Sequence, residues 1–198
     1  MRTEQELIKL AQAGDIRAFE QLVELNSDRL FGVAYRIVQD RQTAEDVVQE
    51  AFLKAYLKLN TFKLESKLST WLYTITSNVA LDMLRKHAKQ LDTIELNPEL
   101  QSSVVSSRSG SENTLESDAV NRNLVALTHA ALSHLSADVR AAFTLRHYEQ
   151  CSIEEITQIL GISKSTAKSR IFRGVERLRQ LLKPKISNQA GTYETLDR

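Results

Sequence analysis

Cysteine, proline, glycine and aromatic residues are all scarce in this 198-residue chain. A single cysteine, Cys151, rules out an internal disulfide and fits a reducing, cytoplasmic setting. Two prolines and six glycines argue against a turn-rich all-β protein and for a mostly helical one. With 42% hydrophobic residues but only 6% aromatic, the chain can build cores of modest size. No apolar run is long enough to span a membrane, and the opening residues MRTEQELIKL do not read as a signal peptide. Phosphate-binding loops, paired metal-ligand motifs and nucleophile elbows are missing too, so no enzyme class is favoured and no cofactor or metal is expected. The histidines His87, His129, His134 and His147 are scattered, and Cys151 has no basic neighbour in sequence to activate it.

What is present is charge, and it is segregated. The net charge of +1 conceals a run at residues 164–185 with eight basic residues against one acid, Glu176. Residues 61–89 hold five bases and two acids, while residues 90–121 hold one base and six acids. Two basic patches separated by an acidic segment fit a polyanion touched at two places. For the weaker patch alone, a solvated helix face is the simpler reading.

The periodicity predicts an all-α protein of two helical domains joined by a flexible linker. Thr3-x-x-Glu6 has the form of a capping box, opening a helix that ends near Gly14. Asp15 can cap a second helix carrying Phe19, Leu22 and Val23, and a third apolar run at residues 30–38 stops at Asp40-Arg41. Further helices are expected over residues 44–59 and 70–87, completing a first domain at 1–89. Residues 90–120 contain seven serines, an acid excess and no sustained period, which is the composition of a linker. A second domain is expected at 121–184 and a disordered tail at 185–198.

In the second domain the segment SIEEITQILGISKSTAKSRIFRG carries the most specific local pattern. Ser152 and Glu155 form a capping box, Gly161 can adopt positive φ in a tight interhelical turn, and Ser163 can cap the next helix. Ala167, Ile171, Val175 and Leu178 would face inward, with Lys168, Ser169, Arg170, Phe172 and Arg173 outward or on the flanks. That is a helix-turn-helix whose basic second helix suits a DNA major groove.

The helix AEDVVQEAFLKAYLKL poses a different problem. Ala44, Val48, Ala51, Phe52, Ala55 and Leu59 gather on one side as a core stripe. The opposite side carries Asp46, Gln49 and Glu50, and among them Leu53 and Leu57. Two leucines on an acidic face either pack on another part of the chain or dock a partner. Beyond this helix, Phe62, Trp71 and Tyr73 lie near Lys63, Lys67, Arg85 and Lys86, with Asn78 close by. Stacking surfaces, an amide and cations are what unpaired bases need, although Trp71 alone reads as core and Asn78 alone as a surface amide.

Taken in order, AEDVVQEAFLKAY, F-x-x-x-S-x-x-x-TWLYTITSN-x-x-x-D-x-x-R, LS-x-x-x-R-x-x-FTLRH and SIEEITQILGIS-x-STAKSRIFR resemble a bacterial RNA polymerase sigma factor of the extracytoplasmic-function (ECF) type. The resemblance covers about residues 5–183 except most of the linker. It implies that Asp46, Val47, Gln49, Glu50, Leu53 and Leu57 meet the clamp helices of the largest subunit of RNA polymerase core. It also implies that Phe62, Lys63, Ser66, Asn78 and Arg85 serve the minus-ten element, with the loop at 61–69 capturing a flipped base. Lys168, Ser169, Arg170, Phe172 and Arg173 would lie at the minus-thirty-five element. Implied partners are core polymerase, promoter DNA and an anti-sigma factor. The free chain would be a cytoplasmic monomer with no direct membrane insertion, which that anti-sigma factor could hold near the inner membrane.

Five positions depart from the family pattern. Leu64 and Gln150 stand where relatives often have glycine, and Ser136 where proline is common. Ser165 and Ala167 also replace a frequent glycine-x-valine pattern. The alternative reading is a DNA-binding regulator that dimerises through its first domain and needs no polymerase.

Overall fold

The computed structural model describes residues 2–95 and 128–193, and every regular element among them is helical. Helix α1 spans Glu4–Gln12, α2 Ile16–Val38, α3 Arg41–Lys58 and α4 Leu68–Glu95, with a 3-10 turn at Leu59–Thr61. Residues 128–132 form the described part of α5, followed by α6 (Ala137–His147), α7 (Ile153–Leu160) and α8 (Lys164–Tyr193). None of these helices is long and apolar enough to cross a membrane.

The expected caps are in place. Thr3 accepts from the Glu6 N–H and Glu6 from that of Thr3, closing the box that starts α1. Asp15 caps α2 by accepting from the Ala18 N–H, and Asp40 caps α3 by accepting from that of Thr43. The Thr43 N–H and hydroxyl hold the Asp40 carboxyl below its usual range.

Three boundaries differ from the sequence expectation. The two apolar runs expected as separate helices form one helix, α2. Between them, Asn26 donates to Leu22 O at 2.8 Å and Ser27 to Val23 O at 2.7 Å, so the polar break is absorbed by back-bonding to the helix. Helix α4 runs to Glu95, into the segment read as linker. Helix α8 passes Pro184 and reaches Tyr193, where a disordered tail was expected. A proline removes one i to i−4 bond without obliging the helix to end there. The remainder of the expected linker, residues 96–120, the first residues of the expected second domain, 121–127, and the last residues, 194–198, lie outside the described residues.

The larger correction concerns independence. One continuous apolar core joins Leu22, Leu30, Val33, Ile37, Val47, Leu72 and Val79 to Ala141, Leu145, Cys151, Ile156 and Ile159. Helix α6 packs on α2, and α7 packs on α4. A smaller cluster of Leu132, Leu135, Val139, Phe143 and Leu178 sits inside the second domain. The two helical domains therefore share a core instead of hanging apart on a tether. Periodicity identifies which face of a helix is apolar and leaves open which helix covers it.

Candidate nucleic-acid and protein interfaces

Helix α3 buries Ala44, Val47, Ala51 and Ala55 and turns its other face to solvent. On that outer face Leu53 is 59% exposed and Leu57 72% exposed, so nothing in the described chain covers them. Tyr56, at 46%, joins them and packs edge-on against Phe19 with ring centroids 5.0 Å apart. Tyr56 is one turn from Leu53 and next to Leu57, a position that a strict two-leucine ridge overlooks. Asp46 and Gln49 are exposed and Glu50 is half-buried, paired with Lys54 at 2.7 Å. Val47, expected on this surface through the resemblance, has no exposed area. It follows Asp46 by 100° around the helix and points into the core, so it supports the ridge from beneath.

The loop between α3 and α4 starts from a fixed base. Gln12 of α1 donates to Leu59 O and Phe62 O, both at 2.9 Å. Phe62 is 5% exposed and packs on Trp71 at 5.2 Å between centroids. It is a core residue, which corrects its assignment to a base-contacting surface. Sequence reasoning also missed Gln12, since a half-buried glutamine 47 residues from its partner leaves no local signal. Lys63 and Ser66 are exposed on the loop, and Asn78 is exposed on α4. Arg85 is exposed too, and donates to Asp82 at 2.8 Å. Trp71 is half-buried and Tyr73 is buried. Of the residues grouped here by sequence, Lys63, Ser66, Lys67, Asn78, Arg85 and Lys86 reach solvent.

In the second domain the capping box closes as expected, with Glu155 N–H donating to Ser152 Oγ at 3.1 Å and Ser152 N–H to Glu155 Oε2 at 2.8 Å. Gly161 ends α7 at φ 62°, and Ser163 accepts from the Thr166 N–H at 3.1 Å to start α8. Glu154 pairs with Lys164 across the outside of the turn, and this hydrogen bond lowers the carboxyl pKa. Ala167 is fully buried and Leu178 nearly so. Lys168, Ser169, Phe172 and Arg173 are exposed, with Phe172 at 69%. Arg170 is different: its side chain is 18% exposed and pairs with Asp138 of α6 at 3.2 Å.

Val175 was expected to face inward and is 36% exposed. Its neighbour Gly174 is buried instead, where an added Cβ would lie 3.0 Å from Phe143 Cδ2. The close approach of α8 to α6 thus uses the missing side chain of a mid-helix glycine. Cys151 is 4% exposed; burial, with Glu155 and Glu149 nearby, pushes its thiol up to about 11. It is an inert packing residue at neutral pH.

The chain therefore presents an acidic and apolar helix face, a polar loop held at its base, and a basic helix-turn-helix. Family models agree with that division: Sigma-70 region 2 matches residues 22–90 and Sigma-70 region 4 matches residues 126–178. Full-length relatives extend the match. The RNA polymerase sigma-H factor of Pseudomonas aeruginosa is 34% identical over 182 residues, covering 91% of this chain and 94% of the relative. The chain belongs to the RNA polymerase sigma factors of the ECF class. SigW of Bacillus subtilis is 33% identical, with 89% of this chain and 95% of the relative covered. The sigma-E factor of Escherichia coli is 34% identical, with 93% and 96% covered. Among solved structures, the sigma factor RpoE of Bartonella quintana, in complex with the anti-sigma factor NepR, superposes with a TM-score of 0.64. It is 29% identical, and the match covers 83% of this chain and 96% of that one. As a sigma factor the protein is a transcription initiation factor with the all-helical region 2 and region 4 architecture.

Proposed function

We propose that this sigma factor recruits core polymerase through the outer face of α3 and reads promoters through the α3–α4 loop, α4 and α8. The single observation that carries this reading is the α3 face, where Leu53, Tyr56 and Leu57 are exposed beside Asp46, Gln49 and Glu50. An apolar centre with acidic neighbours fits a helical protein partner bearing basic residues: the apolar groups supply burial and the acids steer and orient. The clamp helices of the largest polymerase subunit are that partner in the reading proposed here.

On the DNA side, Lys63, Ser66, Asn78 and Arg85 attend the minus-ten element, with Asn78 hydrogen-bonding a base edge and the cations holding phosphates. Lys168, Ser169, Phe172 and Arg173 attend the minus-thirty-five element in the major groove. Arg170 contributes by fixing α8 on α6. The protein performs no catalysis of its own; it works as a cytoplasmic monomer until it joins polymerase. An anti-sigma factor covering the α3 face or the recognition helix would keep it inactive, a reading supported by the complex with NepR seen for the Bartonella relative.

The test is a titration of purified bacterial core polymerase with wild-type protein and with Asp46→Arg/Leu53→Ser. Both changed side chains are exposed, so folding should be spared. Tight binding lost in the double variant is the expected result. A wild type that fails to bind core, with no anti-sigma factor present, sinks the reading and leaves a helix-turn-helix regulator acting alone.

A further inference from the structure

We propose that the cleft between α2 and the turn joining α6 to α7 is a binding site for a phosphorylated small molecule of nucleotide size. The cleft has a volume of about 520 Å³ and is lined by Arg29, Gly32 and Arg36 of α2, by Tyr148 and Glu149 of the turn, and by exposed Asp28. Sites for small ligands run from about 300 to 1,000 Å³ and favour junctions between domains. The walls are tied to each other. Arg140 Nε of α6 donates to Ile37 O of α2 at 2.7 Å, and the Tyr73 hydroxyl of α4 donates to Glu149. No lining residue belongs to the α3 face, the α3–α4 loop or the recognition helix, so the site stands apart from the surfaces proposed above for polymerase and DNA.

Arg36 is the group that makes this cleft a receptor. Its guanidinium lies 4.0 Å over the Tyr148 ring, and among the described residues no carboxylate pairs with it. Gly32, one turn earlier on the same face of α2, makes room for it: a Cβ there would lie 2.8 Å from Arg36 Nη1. A glycine in the middle of a helix is destabilising, and here the space it leaves holds the guanidinium. The uncompensated charge is felt nearby. The His129 pKa is lowered by burial first, then by Arg140 and Arg36. A half-buried guanidinium, held in place and without an acid, is organised for an oxyanion before one arrives.

The donor set selects the ligand. Arg29 lies 3.8 Å through its Nε from Glu149, and its side chain is 61% exposed, which leaves its terminal nitrogens able to share the oxyanion. With Arg36 and the Tyr148 hydroxyl, these donors outnumber the two oxygens of a carboxylate and suit the three of a phosphate monoester. The acids do not cancel them. Glu149 is 9% exposed and already accepts from Tyr73 beside Arg29, and Asp28 is exposed to water. Both offer acceptors to hydroxyl or amino groups on the ligand's organic part. Bare phosphate would leave most of the cleft empty, so the ligand carries such a part, as a sugar phosphate or a nucleoside monophosphate does.

The test is calorimetric titration of the full chain with inorganic phosphate, ribose 5-phosphate, guanosine monophosphate and guanosine. At least one of the two phosphate esters should bind saturably, with inorganic phosphate weaker and guanosine not binding. Arg36→Met keeps an unbranched side chain against the Tyr148 ring and removes the charge. Ester affinity should then fall about tenfold or more, as for the loss of a charge-assisted pair. Gly32→Ala should also weaken binding, while the free chain melts no earlier than wild type, because the added methyl displaces only the end of a flexible side chain. Arg17→Met, at an exposed arginine outside the cleft, should bind as wild type does. Absence of saturable binding by either ester up to about 10 mM overturns the site, as does unchanged affinity in Arg36→Met. An equal loss in Arg17→Met would reduce the effect to general charge and overturn it too. Inorganic phosphate or guanosine binding as tightly as the esters overturns the ligand class.

Discussion

Helices α3 and α8 each turn one face to solvent, and the two faces differ in what they lack. The α3 face offers apolar area ringed by acids, and it has no abundance of cations. The α8 face offers Lys168, Arg173 and Arg177 with serine hydroxyls, and its exposed apolar groups are Phe172 and, to a smaller extent, Val175. The first can gain free energy only by excluding water against another apolar surface. The second gains chiefly by displacing counterions from a polyanion. Exposure alone would not separate a protein-binding helix from a DNA-binding one; the chemistry left unpaired on each does.

Salt should separate the two most sharply. If α8 and its flanks make about four phosphate contacts, duplex affinity should fall roughly 150-fold between 50 and 200 mM salt. Core polymerase binding through the α3 face should change far less, because its apolar centre is indifferent to screening. Titrations of the free chain with duplex DNA, and of core polymerase with the chain, across that range check the comparison. Equal salt slopes would mean that α3 binds through its acids alone, and that Leu53, Tyr56 and Leu57 add nothing.

Next in size is a contrast within α8. Arg173→Ala should cost about 1–3 kcal/mol in binding to a promoter selected for this factor, as expected for one base-reading arginine, without loss of stability. Arg170→Ala should instead lower the stability of the chain by about 0.5–1 kcal/mol, because its partly screened pair with Asp138 holds α8 to α6. Band-shift titrations and urea melts on both variants check this. If Arg170→Ala weakens promoter binding as much as Arg173→Ala at unchanged stability, the division between reader and brace is wrong.

These cases mark how far the sequence could be read. Capping boxes at Thr3 and Ser152, the turn at Gly161 and the exposed leucines of α3 all depend on residues within a turn or two of one another, so local spacing exposes them. Phe62, Val47 and Arg170 were misplaced for the opposite reason. Each sits in a motif whose neighbours are exposed, and only packing from a distant element reveals that it is buried or braced. Gly174 carried a faint signal, since a glycine in the middle of a helix is costly unless another element approaches closely. The polar contacts between the two domains carried none. Arg140, Glu149 and Tyr73 read as ordinary members of their own helices and loops, and their pairing across 76 to 103 residues is a property of the tertiary structure.

The smallest effect expected is at two residues held in the left-handed backbone region. Leu64 has φ 59° and Gln150 φ 56°, the left-handed region in which a β-carbon is crowded by the following carbonyl. Relief of that crowding stabilises by about 1–2 kcal/mol, while glycine's extra freedom in the unfolded chain offsets about 0.4–1 kcal/mol of it. Leu64 is 37% exposed, so little burial is lost, and Leu64→Gly should raise stability by up to about 1 kcal/mol. Gln150→Gly also forfeits the bond from Nε2 to His147 O at 3.0 Å, and should come out nearer to zero. The consequence for function runs the other way. Leu64 lies between Lys63 and Ser66, so a stiff residue there restricts the loop proposed to hold a flipped base, and glycine would loosen it. Leu64→Gly should therefore melt later than wild type and open promoters less efficiently, with Gln150→Gly close to wild type in both. An equal gain in stability at both sites would show that the Gln150 side-chain bond contributes nothing. Unaltered promoter opening in Leu64→Gly would show that the loop's shape is set by the Gln12 bonds at its base and owes nothing to the strained leucine.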